Sequence, residues 1–138
     1  MDVMRSLNVF FDVDHTLIMW DGRLRNHARE VFEAIREQGH TIYVWSGVGI
    51  RRYDMRRHGL DEFVAGYFVK PLERYKERLP DYKVTVMPDF VIDDYPGPIA
   101  DFGGYHIYDV AKPDDRELLE VLRLIELAAL EPDTDAAL

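Results

Sequence analysis

The chain has 138 residues, no cysteine and a formal net charge of −9. That length fits one domain with a single core, and the missing cysteine leaves no place for a disulfide or a thiolate metal site. The acidic balance disfavours broad non-specific binding to nucleic acid, which needs clustered Lys and Arg, and leaves only a local basic patch as a route to phosphate backbones.

Residues 7–13 read as the first strand, an apolar run that passes directly into Asp12-Val13-Asp14. The run is too short and too soon interrupted by Asp12 to be a signal-peptide core or a membrane span, so a soluble, cytoplasmic protein is expected. Met19 to Arg23 follow as a flap, where Gly22 permits a tight hairpin and Trp20 either presents an aromatic face or packs the flap onto the domain. Ala28, Val31, Phe32 and Ile35 fall at helical spacing behind a cap at Asn26, with Gly39 as the stop. Residues 41–45 read as the second strand, and a second helix is expected from Val48 to His58, ended by Gly59.

One further short strand precedes Lys70. Lys83 to Met87 alternate in a strand-like way, but Pro88 interrupts, so an extra edge strand and an extended loop both fit. Val91 and Ile92 form the core of another strand, and residues 105–110 the last one. After Pro113, Asp114 and Asp115, the positions Leu118, Val121, Leu122, Ile125 and Ala128 mark the clearest amphipathic helix, with negative charge at its favourable end. Short apolar runs alternating with amphipathic ones predict an α/β fold: a Rossmann-like three-layer α/β/α sandwich around a mainly parallel sheet, spanning residues 1–130, with 131–138 as a frayed tail.

This pattern puts polar residues at the strand ends, where open parallel sheets bind ligands: Asp12 with Asp14, Ser46 with Gly47, Lys70, and Asp93 with Asp94. Each group alone is ordinary turn chemistry. An aspartate pair one residue apart just beyond a strand is suited to a divalent cation, whose hard charge prefers carboxylate oxygens.

Taken in this order, Asp12-Val13-Asp14-His15-Thr16, Tyr43-Val44-Trp45-Ser46-Gly47, Phe68-Val69-Lys70-Pro71 and Val91-Ile92-Asp93-Asp94 resemble the sequence motifs of the haloacid dehalogenase superfamily, from Phe10 to about Tyr95. The resemblance implies a magnesium-dependent phosphatase working through an aspartyl-phosphate. Asp12 would be the nucleophile and Asp14 the general acid and base. Mg2+ would be held by Asp12, the Asp14 backbone carbonyl and Asp93, with Asp94 in support. Lys70 would supply fixed charge against phosphate and nucleophile. The Ser46 hydroxyl and Gly47 amide would form an anion cradle where the second helix opens.

Asp14 points to phosphoryl transfer, because the halide-cleaving members lack this second aspartate. His15 stands where many members have Gly and is expected to cap local backbone groups. With so little chain between Asp14, Ser46 and Lys70, the cap domain common in the superfamily has no room. The site should then be open, either to a macromolecule or to a neighbouring copy in a homo-oligomer that acts as lid. Arg51, Arg52, Arg56 and Arg57 read as a solvated helix face pairing with Asp54 and Asp61, although a nucleotide, a nucleic-acid end or a phosphoprotein would also suit their charge. Candidate substrates are a nucleotide, a polynucleotide end, a sugar phosphate or a phosphoprotein. The alternatives from other classes are a receiver-like phosphoryl acceptor and an inactive binding module; receivers, however, carry the acidic pair first and the lysine last.

Overall fold

The structure is a computed structural model, and it describes residues 4–109 and 112–130. Its centre is a five-stranded sheet, all parallel, in the order β3-β2-β1-β4-β5. The strands are β1 (Asn8–Phe11), β2 (Thr41–Ser46), β3 (Val64–Val69), β4 (Phe90–Asp93) and β5 (Gly104–His106). Four helices accompany them: α1 (Ala28–Glu37), α2 (Arg52–Arg57), α3 (Pro96–Phe102) and α4 (Glu117–Leu130). No helix among the described residues is long and apolar enough to cross a membrane.

Successive side chains of a strand leave opposite faces of the sheet, and both faces here are apolar, as a parallel sheet requires. On one face Val9, Phe11, Ile42, Val44 and Ile92 pack against Val31, Phe32 and Ile35 of α1, Met55 of α2 and Leu118, Val121 and Ile125 of α4. On the other, Phe10, Trp45 and Val91 meet Leu79 and Val84, with Tyr43, Phe68, Tyr82, Val86 and Phe102 at the margin. Phe10 anchors this second face, stacking on Phe68 at 6.0 Å and meeting Trp45 edge-on at 4.8 Å between ring centroids. The second layer is therefore built largely from the irregular segment 71–89, with a 3-10 turn at Pro80–Tyr82 and the short α3 beside it.

That packing explains Lys83 to Met87. They form no strand; Val84 and Val86 alternate because they point inward from an extended loop onto Phe10, Trp45 and Val91. Helix α1 begins one residue later than its expected cap. His27, at φ 69°, takes that place, while the Asn26 side chain donates instead to the carbonyls of Pro113 and Asp115. Helix α2 is shorter than expected and starts at Arg52, because Gly49 sits at φ 131°, a conformation no helix contains. Helix α3 was not anticipated; Pro96 and Pro98 stand in its first turn, where proline sacrifices no hydrogen bond. The last strand ends at His106 rather than continuing to 110, and residues 107–109 run on outside any strand; Val110 lies outside the described residues, as does the tail 131–138.

Arg25 holds the segment that follows β5. Fully buried, it donates from Nε to Asp115 Oδ2 at 2.9 Å, from Nη1 to the Thr16 carbonyl at 3.2 Å, and from Nη2 to the Tyr108 carbonyl. Asp115 also accepts the Glu117 amide at 3.0 Å, so one carboxylate both caps α4 and neutralises the arginine. Removing one member of a buried pair strands the other charge. Asp115→Ala is accordingly expected to lower unfolding stability by about 3–5 kcal/mol. Asp115→Leu combined with Arg25→Met should recover much of the loss in a denaturant titration, and a double variant no better than the single would argue against stranded charge as the cause.

Candidate active site

The strand order places the carboxyl ends of β3, β2, β1 and β4 side by side, and every polar group singled out in the sequence lies there. Asp12 directly follows β1, Ser46 closes β2, Lys70 directly follows β3, and Asp93 closes β4. Two backbone bonds hold these ends level: the Asp12 amide donates to the Ile92 carbonyl at 3.0 Å, and the Lys70 amide to the Ser46 carbonyl at 2.9 Å.

Lys70 bridges the two buried carboxylates, its Nζ lying 3.1 Å from Asp12 Oδ1 and 2.8 Å from Asp93 Oδ2. The other Asp12 oxygen accepts the buried Thr16 hydroxyl at 3.2 Å, and Asp93 Oδ1 accepts the Tyr95 amide at 3.0 Å. One carboxylate oxygen from each of Asp12, Asp93 and Asp94 lies within 4.8 Å of the others. Lys70 answers only part of that charge. Burial, with the Asp93 carboxylate next in weight, raises the Asp12 pKa well above the carboxylate range, and burial also raises Asp93. Burial alone would lower Lys70; the flanking Asp12 and Asp93 outweigh it and hold the ammonium more firmly protonated. An oxygen-only cluster carrying uncompensated negative charge fits a hard divalent cation.

Asp14 stands apart from this cluster. Its two oxygens accept from Arg51, Oδ2 from Nη1 at 2.7 Å and Oδ1 from Nη2 at 3.0 Å. That hydrogen bonding holds the Asp14 carboxyl below its ordinary pKa. Arg51 also reaches Ser46 Oγ at 3.3 Å and fixes its Nε on Asp54 at 2.6 Å. Ser46 Oγ further accepts the Val48 amide at 3.3 Å.

Several expectations change. Gly47 does not open a helix: α2 starts at Arg52, so an anion cradle at Ser46 and Gly47 would be formed by the loop Gly47 to Ile50 rather than a helix terminus. His15 does not cap the backbone; its Nδ1 pairs with Asp109 at 2.5 Å, and that bond raises its pKa. Its φ of 66° explains why glycine suits the position. Arg52 and Arg56 do pair with Asp61, and Arg52 covers the Tyr67 ring. Arg51, read in the sequence as part of that solvated face, belongs instead to the site; the only signal was the glycine-containing loop that folds it back onto Ser46. The flap forms the expected hairpin, with the Met19 amide on the Arg23 carbonyl and Gly22 at φ 84°, but Trp20 is 71% exposed and does not pack it down.

No protein-family model matches the chain, and no curated protein matches it. Among solved structures it is similar to the core domain of a Streptococcus pneumoniae TIGR4 protein provisionally named a phosphoglycolate phosphatase, with a TM-score of 0.52 at 15% identity, covering 85% of this chain and 96% of that one. That likeness extends to the fold alone, a parallel α/β sheet flanked by helices.

The charge excess yields a stability signature. A carboxyl whose pKa is raised by folding contributes stability at low pH and loses it as pH rises from its ordinary value of 3.8 toward about 8. Without divalent cations, Asp12→Asn should therefore melt at a higher temperature than the wild type at pH 8, by several degrees, with the gain shrinking toward pH 4. A pH-independent difference in calorimetry would contradict it.

Proposed function

We propose that this protein is a magnesium-dependent phosphatase that hydrolyses phosphomonoesters through an aspartyl-phosphate on Asp12. The observation that carries the reading is the meeting of Asp12, Asp14, Ser46, Lys70, Asp93 and Asp94 at four neighbouring strand ends, with a buried carboxylate held between a lysine and a hydroxyl. Thr16 and Lys70 fix the orientation of Asp12, so its carboxylate is presented rather than free to rotate.

In this scheme an Asp12 oxygen forms the bond to phosphorus as the ester oxygen leaves, and Asp14 gives that oxygen a proton. Asp14, now a carboxylate, then takes a proton from the water that attacks the same phosphorus, which releases inorganic phosphate, frees the Asp12 carboxylate and returns Asp14 to its protonated form. Asp12, Asp93 and Asp94, with the Asp14 backbone carbonyl, would hold Mg2+, which supplies charge stabilisation to the phosphoryl oxygens. Lys70 screens Asp12 from Asp93, and Ser46 offers a donor to the phosphoryl group.

Between Asp14 and Ser46 the chain forms only the flap, α1 and β2, and between Ser46 and Lys70 only α2, a 3-10 turn and β3. The site therefore admits phosphoryl groups on small molecules and on macromolecules alike. The name of the structural neighbour favours a small phosphorylated acid as a first substrate to try.

With Mg2+ the protein is expected to hydrolyse an aryl phosphate, and Asp12→Asn to reduce turnover to background; full activity in that variant would remove Asp12 as the nucleophile. Asp14→Asn should cost about 10²–10⁴-fold in kcat while the Mg2+-induced rise in melting temperature persists. A long-lived phosphoprotein after treatment with acetyl phosphate would instead favour a receiver-like acceptor.

A further inference from the structure

We propose that Arg51 is a ligand for the substrate's phosphoryl group, and that Asp14 occupies its guanidinium until substrate arrives. The proposal rests on the phosphatase reading and adds to it the group that distinguishes a monoester.

The guanidinium offers a planar fork that suits two oxygens on one centre, and a carboxylate and a phosphoryl group present that same spacing. Asp14 fills the fork, with 2.7 Å and 3.0 Å contacts to Nη1 and Nη2. The two partners are unequally held. The Arg51 side chain is 15% exposed and pinned at Nε by Asp54, whereas the Asp14 side chain is 49% exposed. The arginine is thus the fixed member of the pair and the aspartate the replaceable one. Nη1 also lies 3.3 Å from Ser46 Oγ, so the fork and the hydroxyl address the same point.

Arg52 and Arg56 of the cluster are turned elsewhere: both are more than half exposed and pair with Asp61. Lys70 is committed to Asp12 and Asp93, both buried. Arg51 is consequently the cation near the site whose partner can be exchanged without stranding a buried charge.

The exchange breaks and makes hydrogen bonds only. Two non-bridging phosphoryl oxygens accept from Nη1 and Nη2, and the Asp14 carboxyl group is freed to face the leaving oxygen. A monoester keeps a further non-bridging oxygen for Ser46 and the metal, whereas a diester has none to spare. The fork therefore selects terminal phosphates.

The test compares wild type, Arg51→Met and Arg51→Lys with an aryl phosphate, with inorganic phosphate as competitive inhibitor and with the Mg2+-induced shift in melting temperature. Loss of a charge-assisted pair is expected to raise KM and the phosphate inhibition constant together by about 10–100-fold in Arg51→Met, with a smaller change in kcat. Arg51→Lys, which keeps charge but not the fork, should fall between, and it carries the comparison alone if Arg51→Met does not fold. The Mg2+ shift should match wild type. Unchanged KM and phosphate inhibition with only kcat reduced would overturn the proposal, leaving Arg51 as a group that merely orients Asp14. A wild type that neither hydrolyses the ester nor binds phosphate would overturn the phosphatase reading, and the assignment with it.

Discussion

The ammonium of Lys70 between Asp12 and Asp93 is the interaction on which the arrangement depends. Two carboxylates buried this deeply would repel, and either could escape only by taking up a proton. One lysine lying directly past β3 and reaching across β2 toward β1 and β4 makes their proximity tolerable. It leaves an excess of negative charge, however, and such an excess on oxygen ligands is what a hard cation would suit. The same imbalance bears on stability, since full neutralisation would make a quieter core.

The parallel topology makes this possible at little cost in backbone strain. All five strands point the same way, so residues distant in sequence emerge at one edge simply by ending their strands. Much of this was legible in the chain. Apolar runs followed at once by Asp12, Ser46, Lys70 and Asp93 put those residues at strand ends, and four such endings in a fixed order limited the chemistry to few options. The helical periodicities around Val31 and Ile125 were equally clear, because each of these helices buries one stripe.

What could not be read has physical causes. Val84 and Val86 alternate like a strand because burial on one side imposes a period of two on any extended segment, whether or not a ladder forms. The start of α2 depended on the φ of Gly49, which composition does not reveal. Arg51 looked like its neighbours Arg52 and Arg56, since charge alone does not tell which way a side chain turns; only the fold of the Gly47 to Ile50 loop separates them. Asp115 was read as a favourable charge at a helix start, which it is, while its pairing with Arg25 joins positions too far apart for any local pattern to register.

The Arg25 to Asp115 link has a consequence for how the site comes into being. Arg25 holds the carbonyl of Thr16, the residue whose hydroxyl steadies Asp12, and Arg25 is itself neutralised only by a residue ninety positions later. During synthesis the Asp12 loop would therefore remain without its final support until the start of α4 had left the ribosome, even though β1 is made well before it. The carboxyl end of the sheet is in this sense completed from α4, and a nascent chain halted before that point would hold all the candidate site's residues without the clamp that supports the Asp12 loop.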